Sequence, residues 1–220
     1  MSKPVTSRSD EVADGLLSQL GIIQYPDSRL KKPCNDVGDI TVESFRRDRV
    51  ILRKALEGFR STYGFGRAIA APQVGLAGRL IAFDVDGYKL DMINPNIVHR
   101  SPEFLSLWDD CMSFPHLLVR VRRNLTIDVT FTDGNGSAHL WRDVPPTLSE
   151  LIQHEVDHLD GILALDRAIN GRRDVIERAT FERNLDRFWA LVDPPPDRAE
   201  GRLYLERHLI RQKRHPRSQA

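Results

Sequence analysis

Residues 145–161 read PPTLSELIQHEVDHLDG, and this stretch decides how the rest of the chain is interpreted. Its apolar residues recur at helical spacing, which predicts an amphipathic helix that ends at the final glycine. Thr147 and Glu150 have the spacing of a capping box at the start of that helix. On such a helix His154 and His158 project from one face, a single turn apart.

This histidine pair has the pattern of a metal site. His154 and His158 can hold one divalent ion, and Glu155 lies beside them as a proton carrier. Cys111, within residues 108–113, can supply a thiolate as the third ligand. Three protein ligands leave a fourth position for water, which is the layout of a catalytic metal site. The sequence therefore predicts a metal-dependent hydrolase; two histidines bonded in a core, or a solvated polar stripe, are the competing interpretations.

Length and composition restrict the class of protein. The chain has 220 residues and a net charge of +1, which suits one domain with tails and gives no strong attraction to DNA or a membrane. Its polar N-terminus lacks the apolar segment of a signal peptide. Cys34 and Cys111 are too few for a disulfide scaffold, and a thiolate ligand suits a reducing compartment. A cytoplasmic protein is expected, with Cys34 as an ordinary thiol.

The remaining segments predict an α+β fold, with antiparallel strands and hairpins packed around the central metal-binding helix. The predicted helices are 43–63, 147–160 and 174–192, and the predicted strands are 80–85, 89–98, 125–132 and 137–144. The proposed domain division is a flexible arm over 1–20, a catalytic domain over 21–192, and a proline-rich linker with a basic tail over 193–220.

A third segment supplies an amide and reveals a likeness. Residues 64–75 read GFGRAIAAPQVG and include Gln73. This segment, the cysteine segment and the histidine segment resemble those of the peptide deformylases. Their order along the chain and their separations are the same as in that family. Residues 23–27 and 93–95 extend the resemblance, which covers roughly residues 20–170.

The resemblance implies a metal centre. Cys111, His154 and His158 are expected to hold one divalent ion, with Fe²⁺ as the first expectation and Zn²⁺, Ni²⁺ or Co²⁺ as alternatives. Glu155 is expected to accept a proton from water. The Gln73 side chain and the Met112 backbone N–H are expected to donate to the negatively charged oxygen that forms when water attacks the formyl carbon.

This chain departs from the family pattern around the substrate. Ala68 stands where the family has a second glycine, so strain is expected if that position needs a positive φ. Arg67 replaces an apolar residue in a loop that borders the methionine pocket of the family. Arg67 and Asp110 either face solvent or pair with each other. Substrate contacts are expected at six positions: Gly66, Arg67, Ala68, Asp110, Glu150 and Leu151.

Asp109 and Asp110 replace the Glu-Gly pair that precedes the cysteine in the family. By resemblance the first carboxylate pairs with a downstream arginine, for which Arg120 and Arg122 are the candidates.

The resemblance implies removal of the formyl group from N-formylmethionyl peptides of nascent proteins. The alternative is the same chemistry on another formamide, because a charge beside an apolar side-chain site is unfavourable. A non-catalytic paralogue that binds the ribosome is disfavoured because all the site residues are present, and a zinc endopeptidase because the third ligand is a cysteine. The basic tail is expected to be solvated or a subunit contact, with a weak ribosome contact as the alternative.

Overall fold

The structure is a computed structural model that describes residues 17–210. Within this range no helix has the length and apolar character that crossing a membrane requires. The helices are α1 (Glu43–Tyr63), α2 (Pro146–Leu159), α3 (Arg178–Arg183), α4 (Leu185–Trp189) and α5 (Arg198–Leu205). The strands are β1 (Ala68–Ala70), β2 (Leu80–Val85), β3 (Tyr88–Arg100), β4 (Phe104–Asp110), β5 (Leu117–Asn124), β6 (Ile127–Thr132), β7 (Ala138–Val144) and β8 (Val175–Glu177).

Two antiparallel sheets surround helix α2. The first has the strand order β1-β2-β3-β6-β7, and the second has the order β4-β5-β8. Within residues 17–210, strands β1 and β4 are therefore edge strands, each paired on one side only. The predicted α+β class is confirmed. The edge strands β1 and β4 both contribute to the cavity described below.

Helix α2 is buried along almost its whole length, as a central helix must be. Leu148, Ile152 and Val156 pack in the main core against the larger sheet. Burying one such side chain contributes about 1.5–3 kcal/mol. The helix ends as predicted, because Gly161 follows the last turn with φ of 73°.

The predicted capping box is wrong. Helix α2 begins at Pro146, its N-cap is Pro145, and none of the described residues caps it with a side chain. Proline suits the first helical position because it has no N–H to satisfy. Thr147 is thereby moved into the helix, where its hydroxyl cannot serve as the cap, and Glu150 turns to another partner.

Helix α1 and both predicted hairpins are confirmed. Gly64 ends α1 with φ of 76° and donates its N–H to the Arg60 carbonyl. The β2–β3 turn places Asp86 and Gly87 at positive φ, which a tight two-residue turn requires. In β6 buried and half-buried residues alternate, as the pattern predicts.

The predicted long helix over 174–192 is wrong. Its first residues form strand β8, which pairs Val175 and Ile176 with β5. β-Branched residues suit a strand, and the edge of β5 offers them backbone partners. The rest divides into α3 and α4 at Asn184. Leu185 and Trp189 of α4 are each 45% exposed.

Part of the predicted tail packs on the core. Leu205 of α5 is fully buried in the main core cluster. Gly201 lies against α2 so closely that a Cβ would come within 2.4 Å of the Thr147 hydroxyl oxygen. Of the predicted N-terminal arm only 17–20 are described, and Leu17 is buried. The division at 20 and 192 stays a prediction, and residues 211–220 lie outside the described range.

Candidate metal centre and its cavity

Three predicted ligands converge between α2 and the loop after β4. The donor atoms of Cys111, His154 and His158 all lie within 4.8 Å of one another, and all three residues are buried. The Cys111 sulfur lies 3.2 Å from Nε2 of His158. Helix α2 supplies the two imidazoles from successive turns, and the end of β4 brings the thiol to them.

Asp109 orients the first histidine. The Asp109 carboxylate lies 2.9 Å from Nδ1 of His154, which leaves Nε2 of that ring available as a donor to a metal. Burial alone would lower the pKa of His154, but Asp109 raises it well above the ordinary value. Burial would raise the pKa of Asp109, but His154 and Arg123 bring it well below the usual range.

Arg123 is the downstream partner of Asp109, so the candidates Arg120 and Arg122 are wrong. Arg123 donates to Asp109 at 2.9 Å and also binds Asp157. The reason is strand alternation in β5, where residues 119, 121 and 123 turn to the buried side. Arg120 instead pairs with an aspartate outside the site, and Arg122 is exposed.

Replacing Arg123 by leucine is expected to destabilise the fold strongly. The change would leave Asp109 and Asp157 as buried carboxylates without their shared cation, and breaking a buried ion pair in this way costs about 3–5 kcal/mol. Urea denaturation of the two proteins measures the free energy of unfolding. The exposed neighbour provides the control, since Arg122→Leu should change it by no more than about 0.5 kcal/mol. Equal, small effects of both changes would contradict a structural role for Arg123.

The Cys111 sulfur is surrounded by N–H donors. The backbone N–H of Ser113 lies 3.4 Å from it, and Nε2 of Gln73 lies 3.5 Å from it. Burial raises the pKa of the Cys111 thiol, and the bonds to His154 and Ser113 oppose this. Donors of this kind favour a thiolate, which a coordinated cation would deprotonate fully.

The donor set fits one divalent metal ion. One thiolate and two imidazoles suit Zn²⁺ and the neighbouring first-row ions. Burial and the charge of His154 lower the pKa of His158 well below its ordinary value, so this ring is neutral and able to coordinate. Among the described residues, Glu155 Oε2 is a buried acceptor without a hydrogen-bond partner, as expected beside a position that a small molecule fills.

The structure brings Gln73 to the sulfur. Its side chain is 1% exposed, and its carbonyl oxygen accepts the Ala70 N–H at 2.9 Å. This bond fixes the amide so that Nε2 points to Cys111 and Ser113. Met112, the other predicted oxyanion donor, follows the cysteine directly and is held through its carbonyl by the Gln24 side chain at 3.1 Å.

Glu155 is a buried carboxyl beside the imidazole pair. Burial raises its pKa to about 7, with smaller opposing effects from His154 and Arg67. A carboxyl that titrates near neutral pH can both accept and return a proton. Perturbed groups of this kind cluster at functional sites.

A cavity of about 500 Å³ opens beside these groups. Residues of the two edge strands, β1 and β4, line it together with His154 and Glu155 of α2. Trp189 at the end of α4 also lines the cavity, as do Asp193 and Pro195, which follow the predicted catalytic domain. Asp193 is fixed there by the backbone N–H of Ser106 on β4 at 2.7 Å.

All six predicted substrate contacts line this cavity: Gly66, Arg67, Ala68, Asp110, Glu150 and Leu151. The strain expected at Ala68 is absent, because this residue lies in strand β1, whereas Gly66 has φ of 109°. A Cβ at Gly66 would lie 2.6 Å from the Met112 side chain.

Arg67 and Asp110 do not pair with each other. Arg67 binds Glu150 at 2.5 Å, and Asp110 binds Arg178 at 3.0 Å. Both side chains still face solvent in part, since Arg67 is 43% exposed and Asp110 is 42% exposed. Two separate ion pairs therefore stand at the wall of the cavity.

Sequence reasoning missed four residues that support the site: Gln24, Ser113, Arg123 and Asp157. The alternation of β5 could have identified Arg123. Asp157 receives Arg123 and Arg167 and ties α2 to the rest of the network, but an aspartate on a helix carries no signal of its own. Gln24 and Ser113 form hydrogen bonds with residues that are distant in sequence, Met112 and Gln73 respectively, which a linear pattern does not reveal.

Comparison with known proteins agrees with this site. The model of the family described as polypeptide deformylase matches residues 19–174. A peptide deformylase of Treponema pallidum is 38% identical over 146 residues, which are 66% of this chain and 88% of the relative. A peptide deformylase of Rickettsia typhi is 30% identical over 74% of this chain and 94% of the relative. Among solved structures, a peptide deformylase from Synechococcus elongatus in complex with actinonin is similar, with a TM-score of 0.61, 25% identity and coverage of 85% and 87% of the two chains.

Proposed function

The chain belongs to the polypeptide deformylase family, and we infer from this that it is a metal-dependent hydrolase that removes the formyl group from N-formylmethionyl nascent peptides and releases formate. One observation carries the inference most directly. The donor atoms of Cys111, His154 and His158 lie within 4.8 Å of one another. Cys111 and His154 line one cavity together with Glu155 and Gln73. Formate release from formyl-Met-Ala-Ser by the metal-loaded protein tests it.

Cys111, His154 and His158 are the proposed ligands of a single metal ion. When bound, such an ion acts as a Lewis acid and lowers the pKa of water from about 15.7 toward about 7. We propose Fe²⁺ as the native ion, with Zn²⁺, Ni²⁺ or Co²⁺ as replacements, since thiolate and imidazole donors suit all four. Metal analysis of protein purified without oxygen distinguishes them.

Glu155 is the proposed proton carrier. It accepts a proton from the attacking water as the new C–O bond forms at the formyl carbon. It then delivers this proton to the amide nitrogen as the C–N bond breaks, so that formate and a free amine leave. Its buried position beside His154 excludes bulk water from this transfer.

Gln73 and Met112 are the proposed donors to the formyl oxygen. The Gln73 amide is held by Ala70 with its N–H groups toward Cys111, so this donor is oriented before substrate arrives. The Met112 backbone N–H follows the cysteine in the same loop. Donors fixed in advance stabilise the charge that develops on the oxygen in the transition state.

Replacing Gln73 by alanine is expected to lower kcat about 100- to 1,000-fold, the usual effect of losing one such donor. KM should change much less, because the contact strengthens only in the transition state. Steady-state kinetics with formyl-Met-Ala-Ser measures both values. Metal content, determined on the same sample, is the control and should equal that of the wild type. A kcat within about threefold of the wild type would exclude this role.

A second candidate substrate is a formamide other than a formylmethionyl peptide. The observation in its favour is the Arg67–Glu150 ion pair at the cavity wall, 2.5 Å between charged atoms. A panel of formylated amines, compared with the peptide by formate release, separates the two candidates.

We also propose a weak contact with the ribosome through the C-terminal segment, and a cytoplasmic location to match. In support, Arg202 of α5 is exposed, and the sequence after α5 is rich in arginine and lysine. Binding to ribosomes should weaken steeply as salt increases, because phosphate contacts release counterions. A flat salt response would exclude an RNA contact.

A further inference from the structure

The wall of the cavity next to Glu155 is charged. Glu150 precedes His154 by four residues, so its side chain extends the same face of α2 by one turn. Leu151 bears the same relation to Glu155. Arg67, which enters β1 from the opposite side, reaches across to this face and lines the cavity with it. The surface that adjoins the reacting groups is therefore one apolar side chain beside one ion pair.

Glu150 and the Thr147 carbonyl fix the guanidinium in place. One nitrogen of Arg67 lies 2.5 Å from the Glu150 carboxylate, and another donates to the Thr147 carbonyl at 3.0 Å. The Glu150 side chain is only 11% exposed, whereas that of Arg67 is 43% exposed. A guanidinium carries five N–H groups, so this one retains donors beyond these two bonds. The cavity thus contains an oriented cation with N–H groups to offer.

The first side chain of a substrate must lie near this wall. In a formyl peptide the carbon that bears this side chain is bonded directly to the formamide nitrogen. An extended peptide can pair with a free sheet edge, and both β1 and β4 present one to the cavity. Side chains stand off such an edge, roughly perpendicular to the sheet. Next to β1 the cavity is lined by Arg67, which precedes the strand, and by Glu150 and Leu151 of α2.

We propose that Arg67, held by Glu150, lets this enzyme accept formyl peptides whose first side chain ends in a hydrogen-bond acceptor, with oxidised methionine accepted as well as methionine. The inference rests on the proposed deformylase function and specifies its substrate class. Methionine sulfoxide has nearly the shape of methionine but carries a polar oxygen. In an apolar recess this oxygen would lose its water without replacement. An N–H of Arg67 supplies the missing partner, while the methylene groups pack on Leu151.

A purely structural ion pair is the alternative, one that ties β1 to α2 and has no contact with substrate. Its removal would lower the stability of the fold and the rates for all substrates alike. The ratio of rates for two nearly isosteric peptides distinguishes the two roles, because a general loss of activity cancels in the ratio.

The experiment compares kcat/KM for formyl-Met-Ala-Ser and its methionine sulfoxide counterpart. The variants are Arg67→Leu/Glu150→Leu, which removes both charges, and Arg67→Met, which keeps the volume without donors. The wild type should hydrolyse the two peptides within about threefold of each other. In both variants, kcat/KM for the sulfoxide peptide should fall by about tenfold or more relative to kcat/KM for the methionine peptide. This is the effect of leaving one polar group unpaired. Lys89→Leu, which removes an exposed ion pair with Glu57, is the control and should keep the wild-type ratio.

Two results would overturn the proposal: a wild type that already rejects the sulfoxide peptide by about 30-fold, or variants that keep the wild-type ratio. Calorimetric titration with the unformylated peptides Met-Ala-Ser and its sulfoxide measures the two affinities. Their ratio compares the same two side chains without turnover. If neither formyl peptide were hydrolysed by fully metal-loaded protein, the deformylase function itself would fail. The calorimetric ratio would still decide the role of Arg67, so the two failures are distinguishable.

Discussion

Replacing Glu155 by alanine is expected to lower kcat by about 100- to 10,000-fold while the protein keeps its metal. Glu155 is buried beside His154 and His158 but belongs to the proton transfer rather than to the ligand set. Burial raises its pKa to about 7, so the group is suited to accept a proton and return it. Without it neither the attacking water nor the leaving amine has a positioned proton partner.

Formate release and metal content, measured on the same samples, test this expectation. Glu155→Gln provides the matched control, since it keeps the size of the side chain and removes only its basicity. It should be nearly as inactive as the alanine variant and should bind metal equally well. Activity in either variant close to that of the wild type would contradict the assigned role. Loss of metal in both would make Glu155 part of the metal site instead.

Replacing Cys111 by alanine is expected to abolish activity through loss of the metal. The cysteine provides one of only three proposed protein ligands, and its sulfur lies 3.2 Å from Nε2 of His158. Changing a residue that merely supports a ligand lowers metal affinity about 10- to 100-fold. Loss of a ligand itself should have a larger effect. Metal content after dialysis, together with competition by a chelator, measures the affinity.

Cys34 is the matched control for this change. It is the other cysteine of the chain and lies half-buried, away from the cavity. Cys34→Ala should keep both the metal and the activity of the wild type. If Cys111→Ala retained a full equivalent of metal after dialysis, the proposed ligand set would be wrong.

The two histidines of the candidate metal centre could be predicted from the sequence because their pattern is local. The two histidines are one helical turn apart, and their helix is recognisable from its apolar residues and its final glycine. Cys111 and Gln73 were placed by the resemblance, since separate segments meet only in the folded chain. The six predicted substrate contacts all line the cavity, and their contact with substrate stays a prediction.

The predictions that are wrong concern features that depend on contacts with residues distant in sequence. Thr147 has the right spacing for a cap, but Pro146 starts the helix one position earlier. Arg120 and Arg122 are as close in sequence to Asp109 as Arg123 is, and only the alternation of β5 turns Arg123 inward. Residues 174–192 have a helical pattern, yet residues 175–177 pair with the edge of β5 as a strand.

The ion pairs around the cavity likewise could not be predicted from the sequence. The sequence presents Arg67 and Asp110 as a suitable ion pair, but each has a nearer partner. Glu150 faces Arg67 from α2, and Arg178 faces Asp110 from α3. Such choices depend on distances across the fold that composition and periodicity do not contain.

Formate release from formyl-Met-Ala-Ser by anaerobically purified, iron-loaded protein tests the central claim most directly. Rapid release that disappears when a chelator removes the metal, and returns when Fe²⁺ is added, is the result expected of a metal-dependent deformylase. No release from this peptide or its sulfoxide by protein with a full equivalent of metal would contradict it.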